Sequence, residues 1–84
     1  MQLIIRYTHQ NPTTFRTAFD ADAEDRGRNG LSLLQLWRED DSHAWALFQV
    51  NDAKAARDYL QLAAKAFEAQ AGVTATDAHF LETA

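Results

Sequence analysis

A histidine and an aspartate near the end of the chain have the types and spacing of a proton-transfer pair. Asp77 and His79 are two residues apart, and residues at that spacing in a strand point to the same face. Because imidazole titrates near neutral pH, His79 is the predicted general base, with Asp77 beside it in the site. Such side chains start roughly 7 Å apart, so we expect no direct bond between them without help from rotamers or water. The alternative is that His79 is an exposed or structural histidine.

Polar residues and tryptophans alternate with apolar residues in three other segments. Arg6, Gln35 and Gln49 are the polar members, and Trp37 and Trp45 are the chain's two tryptophans. An apolar surface that carries a few polar groups is typical of small-molecule sites, and indole rings can stack on a planar aromatic ligand. The alternative is that the polar groups bond one another across an interface where the tryptophans pack.

No metal site and no cofactor are predicted. His9, His43 and His79 lack the close His–His spacing of a metal site, and we expect the first two at exposed strand ends. The chain has no cysteine, which excludes thiolate zinc sites, iron–sulfur clusters and cysteine nucleophiles. The sequence also lacks a glycine-rich nucleotide loop and a serine elbow.

Composition and charge restrict the partners. The chain has 84 residues, 12 acidic and 8 basic, with a formal net charge of −4. A negative chain is poorly suited to neutralise phosphates, so neither nucleic acid nor membrane is a predicted partner. No apolar run approaches about 18 residues, and the first residues do not resemble a secretory signal. The length predicts one domain over 1–84, and the lack of cysteine favours a cytoplasmic protein.

Four segments rich in β-branched, aromatic and alternating apolar residues predict the strands that position these side chains. They cover 2–9, 31–37, 44–50 and 74–81. The polar residues 38–42 between the second and third segments have hairpin length, so we expect those two strands to pair in antiparallel fashion.

Two segments between the strands have the periodicity of amphipathic helices. The first helix is predicted over 12–26, with Asn11 as N-cap and Pro12 in the first position. The second is predicted over 52–71 and ends at Gly72. The order βαββαβ predicts an α+β ferredoxin-like sandwich, in which both helices cover one face of a four-stranded antiparallel sheet.

The other face of this sheet is predicted to be apolar. On the second strand, periodicity places Leu34 and Leu36 beneath the helices. The residues directed to the helix-free face include Ile4, Leu33, Trp37, Trp45, Leu47 and Leu81. Burial of each gains roughly 1.5–3 kcal/mol, so leaving all six in water would forfeit about 10 kcal/mol, comparable with the stability of a whole domain. We therefore expect a homodimer in which two sheets pack through their helix-free faces.

This pattern resembles the dimeric α/β-barrel superfamily and is similar to antibiotic-biosynthesis monooxygenases, muconolactone isomerases and stress-responsive barrel proteins. The motifs Phe19-Asp20-Ala21-Asp22, Arg28-Asn29-Gly30-Leu31 and Ala71-Gly72-Val73 resemble the spacing of a small bacterial family of that fold. The resemblance implies a pocket between two sheets and a cofactor-independent oxygenase, isomerase or cyclase. It further implies that Arg6 holds an anionic or carbonyl oxygen, that Gln35 and Gln49 orient the ligand, and that the tryptophans exclude water.

Two functions fit these sequence features. The first is a homodimeric barrel that binds a small apolar or aromatic molecule between its sheets. The second is a dimerisation or protein-interaction module without chemistry, whose sheet face is packed solid. A ligand-sized hole lined by Arg6, Gln49 and His79 would favour the first function, and a dry interface would favour the second.

Overall fold

The computed structural model describes residues 1–84 and contains one antiparallel sheet. Its strands are β1 (Gln2–His9), β2 (Leu31–Asp40), β3 (His43–Val50) and β4 (Val73–Leu81). They lie in the order β2-β3-β1-β4. All four predicted strands are confirmed, and β1 has the predicted bounds. Strand β2 continues to Asp40, so its connection to β3 is a turn at 41–42 and not the five-residue loop predicted over 38–42.

Both predicted helical segments are present, but each is divided into two helices. The first segment contains α1 (Pro12–Ala21) and α2 (Ala23–Arg28), and the second contains α3 (Ala53–Gln61) and α4 (Ala63–Ala71). Asp22 separates the first pair, and its carboxylate accepts a hydrogen bond from the Tyr59 hydroxyl. Leu62 separates the second pair with non-helical torsions of φ −123° and ψ −73°. None of the four helices is long and apolar enough to cross a membrane.

The predicted signals at the helix ends are confirmed. Asn11 Oδ1 accepts hydrogen bonds from the backbone N–H groups of Thr13 and Thr14 at 2.9 and 3.0 Å, and Pro12 starts the helix. These bonds satisfy donors that an α-helix leaves unpaired at its first turn. At the end of α4, Gly72 has a φ of 67°, the left-handed conformation in which glycine costs least.

The helices cover one face of the sheet and form an aromatic core with it. Alternate residues of β1 and β3 are buried on this face, whereas the residues between them point to the helix-free face. The ring of Tyr7 lies 5.3 Å from that of Phe15 and 5.8 Å from that of Phe67, measured between centroids. The chain therefore has the predicted βαββαβ ferredoxin-like arrangement, with its core between sheet and helices.

A bulge changes the predicted faces of β2. The pairing with β3 shifts between Leu33 and Gln35, which places one extra residue in β2. Leu33 lies opposite Phe48, on the helix side, and Leu34 is 50% exposed. The predictions that Leu33 faces away from the helices and that Leu34 lies beneath them are therefore wrong. After the bulge the alternation is restored, and Leu36 packs against the core as predicted.

Candidate functional site

The residues singled out from the sequence lie side by side on the helix-free face. The strand pairing aligns four of them in one row across the sheet, in the order Trp37, Trp45, Arg6 and Asp77. The neighbouring row contains Gln35, Leu47, Ile4 and His79. Gln49 lies one row further along, opposite Gln2. The sheet thus brings these residues to one surface, and a ligand site enclosed by two such surfaces stays a prediction.

Arg6 is bound by a glutamate that the sequence analysis did not single out. The Nε and Nη2 atoms of Arg6 donate to the two carboxylate oxygens of Glu39, both at 2.9 Å. The indole N–H of Trp45 donates to the same carboxylate at 2.6 Å. The hydrogen bonds from Arg6 and Trp45 lower the pKa of Glu39, and the bond to Glu39 raises the pKa of Arg6. An anionic ligand at Arg6 would therefore have to compete with a bidentate carboxylate.

The role of Glu39 follows from the length of β2. This residue was predicted to lie in the hairpin loop, but β2 continues through it to Asp40. Gln35 and Trp37 lie on the helix-free face, and Glu39 is the next residue at the same two-residue spacing. Extending that periodicity into the acidic segment would have placed the carboxylate on the same face as Arg6.

The pair on β4 is in direct contact. His79 Nε2 lies 3.0 Å from Asp77 Oδ1, and the two side chains are 58% and 71% exposed. The direct bond that the spacing alone did not predict is therefore made by the side-chain rotamers, as the sequence analysis had allowed. In one chain this pair lies in the open at the sheet edge, and its role in catalysis stays a prediction.

Three potential metal ligands lie near the β2–β3 turn, but other partners already occupy them. One ligand atom from each of Glu39, Asp40 and His43 can be found within 4.8 Å of the others. Asp40 Oδ1 accepts a hydrogen bond from the backbone N–H of Ser42 at 2.8 Å and lies 2.8 Å from His43 Nδ1. These contacts lower the pKa of Asp40. Because Glu39 is held by Arg6 and Trp45, the cluster is satisfied by groups of the chain itself.

A cleft that was not predicted from the sequence lies on the helix side of the sheet. It has a volume of about 520 Å³, within the range of roughly 300–1,000 Å³ typical of small-molecule sites. The helical wall consists of Pro12, Thr13, Phe15, Arg16 and Thr17. The strand wall consists of His9, Leu36, Trp37, Arg38 and Ala44. The cleft therefore combines aromatic and aliphatic groups with a histidine and two arginines.

His9 is the least expected member of this cleft. Only 4% of the residue is exposed, and its ring lies 4.7 Å from the ring of Phe15, between centroids, with the planes inclined by 19°. The expectation that His9 is an exposed strand end is wrong because the buried alternation of β1 continues through it, and Phe15 covers it. The alternation of buried residues in β1, extended by two residues beyond Tyr7, could have predicted that His9 is buried.

The imidazole of His9 is buried without a complete set of partners. Its Nδ1 atom has no hydrogen-bond partner, although an unpaired buried polar group costs about 1–3 kcal/mol. Burial, followed by the charge of nearby His43, lowers the pKa of His9. The ring is therefore neutral at neutral pH, with one nitrogen that can accept a proton. A neutral imidazole in the wall of a cleft is a candidate general base, although the unpaired Nδ1 atom itself is buried.

Trp37 belongs to both surfaces. It lies opposite Trp45 in the row across the helix-free face, and it also lines the cleft. Because β2 lies at one edge of the sheet, this large ring can contribute to the helix-free face and to the cleft. The residue is 45% exposed.

Comparison with known proteins identifies a structural neighbour. No protein-family model matches the chain, and no curated protein sequence matches it. A crystal structure of a point mutant of SnoaB, a cofactor-independent oxygenase from Streptomyces nogalater, is similar with a TM-score of 0.61 and 23% sequence identity. The similarity covers 99% of this chain and 93% of that chain. It supports the fold predicted from the sequence: the chain has a ferredoxin-like fold that SnoaB shares.

Proposed function

We propose that this protein binds a small, mainly aromatic molecule in the helix-side cleft and that His9 acts on it as a general base. The observation that carries the proposal is the imidazole of His9, which lies in the strand wall of the cleft and is neutral because burial lowers its pKa. Phe15, Leu36 and Trp37 supply apolar contacts around it. Such a surface suits a flat ligand that presents an acidic C–H or O–H group to His9.

The neighbour suggests the class of reaction. SnoaB is a cofactor-independent oxygenase. When no cofactor takes part, the substrate itself must supply the electrons that reduce dioxygen, and a deprotonated aromatic molecule does this more readily than its neutral form. We therefore extend the proposal to oxygenation: His9 takes a proton from the substrate, and the anion gives two electrons to dioxygen as a C–O bond forms. The peroxide takes the proton back, and the resulting hydroperoxide loses water to leave a carbonyl group. Stacking on Phe15 would hold the imidazole in one orientation for this transfer.

Comparison of two histidine variants tests this assignment. The wild-type chain is incubated with naphthols, hydroxyanthracenes and hydroquinones, and oxygen consumption and product mass are measured. We expect His9→Gln to reduce turnover by about 100-fold or more, the usual range for loss of a general base, and to keep ligand binding. His79→Gln tests the base predicted from the sequence. Loss of turnover in His79→Gln with full activity in His9→Gln would overturn the proposal for the cleft.

A second proposal concerns the helix-free face, which we propose is covered by a second copy of the chain. The observation that favours it is the exposure of large apolar residues there, including Trp37 at 45% and Leu81 at 46%. The bidentate bond between Arg6 and Glu39 matters because it neutralises the central cation of the face. Covering the face would then bury a paired charge and not an isolated one. A dimer of this kind would also serve the alternative function, an interaction module without chemistry.

Light scattering on two matched variants tests the dimer. Leu47→Glu places a charge within the helix-free face, and we expect it to convert a dimer into a monomer. Leu62→Glu is the control, since Leu62 is also apolar and is 76% exposed, but lies between α3 and α4. A wild-type chain that is monomeric at micromolar concentration, or a dimer unaffected by Leu47→Glu, would refute this arrangement.

A further inference from the structure

The charged residues of the helix-side cleft have one sign, opposite to that of the whole chain. Arg16 lies in its helical wall and Arg38 in its strand wall, and no aspartate or glutamate lines it. The chain as a whole has a net charge of −4. The charged groups that line the cleft are therefore cations alone, although the protein as a whole is negative, and this favours a ligand with an acidic group.

The two arginines of the cleft form only weak ion pairs within the chain. Arg16 Nε donates to the carboxylate oxygens of Asp20 at 3.0 and 3.2 Å, and the two side chains are 65% and 61% exposed. Arg38 is paired with Asp41, and these side chains are 64% and 86% exposed. Exposed ion pairs contribute little to stability because water screens the two charges. A ligand anion inside the cleft can therefore bind the two arginines together with these carboxylates or in their place, with little loss of free energy.

The first turn of α1 adds to the positive potential without offering free donors. Pro12 and Thr13 line the cleft, and the first turn contains no acidic residue. The helix dipole gives this end a partial positive charge. However, Asn11 Oδ1 already accepts the N–H groups of Thr13 and Thr14, and Pro12 has none. An anion here would therefore be held by the arginine side chains.

On the basis of the proposed function, we infer that the ligand of the cleft is an aromatic anion. Its carboxylate or phenolate oxygen is bound by Arg16 and Arg38, and its ring contacts Phe15 and Trp37. Guanidinium groups suit this task because their planar donors match a carboxylate and keep their charge at all physiological pH values. His9, neutral and buried in the same cleft, is then left free to act on the uncharged part of the ligand.

Matched acid and amide probes test this inference on the full chain. The pairs are benzoate and benzamide, 2-naphthoate and 2-naphthamide, and anthracene-2-carboxylate and its amide, measured by calorimetry at low salt. Charge-assisted hydrogen bonds contribute about 1.5–3 kcal/mol, so we expect the acid of at least one pair to bind about 10-fold or more tightly than its amide. Raising the salt concentration should reduce that preference.

Arginine variants show whether the preference arises in the cleft. Arg16→Gln and Arg38→Gln should each weaken the acid about 5-fold or more and leave the amide unchanged. Arg28→Gln is the control, because Arg28 is an exposed arginine of α2 outside the cleft, and it should change neither affinity. All three sites are more than half exposed, so folding should be preserved.

The outcomes separate this inference from the proposed function. If the amides bind as tightly as the acids, the inference is wrong and the proposed aromatic site stands. An acid preference that persists in the Arg16→Gln, Arg38→Gln double variant also overturns the inference. If none of the six probes binds, both the inference and the proposed function are overturned.

Discussion

The imidazole of His9 and the phenyl ring of Phe15 are stacked, with centroids 4.7 Å apart and planes inclined by 19°. This contact joins the end of β1 to the first half of α1, and so links one residue of the strand wall of the cleft to one of its helical wall. It buries a titratable ring among apolar groups, and the consequences can be measured as stability, as fluorescence and as binding.

Acidification should destabilise the fold through His9. The unfolded imidazole has a pKa near 6.5, and burial lowers the pKa of His9 in the folded chain. Between these two values the unfolded state binds a proton that the folded state does not, so the free energy of unfolding should fall as the pH falls below about 6.5. Urea titrations from pH 8 to pH 5 would measure this. His9→Gln should show a shallower pH dependence, and parallel curves for the two proteins would contradict the assignment.

Tryptophan fluorescence should locate the bound ligand. Trp37 lines the cleft. Trp45 lies opposite Trp37 in the row across the helix-free face and does not line the cleft. An aromatic ligand in the cleft should therefore quench Trp37 more strongly than Trp45. We expect Trp45→Phe to retain most of the ligand-induced quenching and Trp37→Phe to lose most of it. The reverse result would move the ligand to the helix-free face, as the sequence analysis predicted.

Replacement of a buried arginine should be costly. Arg26 is 4% exposed, its guanidinium donates to the carbonyl oxygen of Phe19 at 2.8 Å, and it lies 3.6 Å from the Asp22 carboxylate. Arg26→Met removes the cation and leaves a carboxylate that is only 14% exposed, so we expect a loss of about 3 kcal/mol in the free energy of unfolding.

The matched control for that change lies on the same helix. Arg28 forms an exposed pair with Glu24 at 3.4 Å, and Arg28→Met should cost less than about 1 kcal/mol. Guanidinium denaturation of both variants gives the comparison. Equal losses would show that the buried network around Asp22 contributes no more than a surface ion pair.

Two glycine substitutions should have opposite effects. Gly30 has a φ of 78°, and a Cβ there would lie 2.8 Å from the backbone nitrogen of Asp52. Gly30→Ala should therefore destabilise the fold by about 1–3 kcal/mol. Gly27 lies within α2, and a Cβ there would meet nothing within 4 Å. Gly27→Ala should stabilise by about 0.5–1 kcal/mol. Thermal unfolding measures both, and a stabilising Gly30→Ala would contradict the left-handed backbone of Gly30 and its close approach to Asp52.

Local sequence signals predicted the fold well because each acts over a few residues. Asn11 and Pro12 start α1, Gly72 ends α4, and the β-branched and aromatic run before Asn11 gives β1 its bounds. The bulge near Leu33 could not be predicted in this way, because the residue types of β2 are apolar on both sides of it. One extra residue then changes the faces of Leu33 and Leu34, which periodicity alone had assigned.

The cleft was harder to predict than the row across the sheet. Strand alternation and pairing order suffice to place Arg6, Trp45 and Asp77 on one face. The cleft depends on how α1 lies across the ends of β2 and β3, which is a packing result that involves residues distant in sequence. His9 carried a local signal, its place in the alternation of β1, but its unpaired nitrogen is visible only once Phe15 covers it.

The place of Trp37 at the sheet edge has a thermodynamic consequence. If a second copy covers the helix-free face and an aromatic anion fills the cleft, both events constrain the same indole ring. Linkage then requires reciprocity: the factor by which assembly changes ligand affinity equals the factor by which the ligand changes the dimer dissociation constant. A single tryptophan would couple the quaternary state of this small domain to the concentration of its ligand.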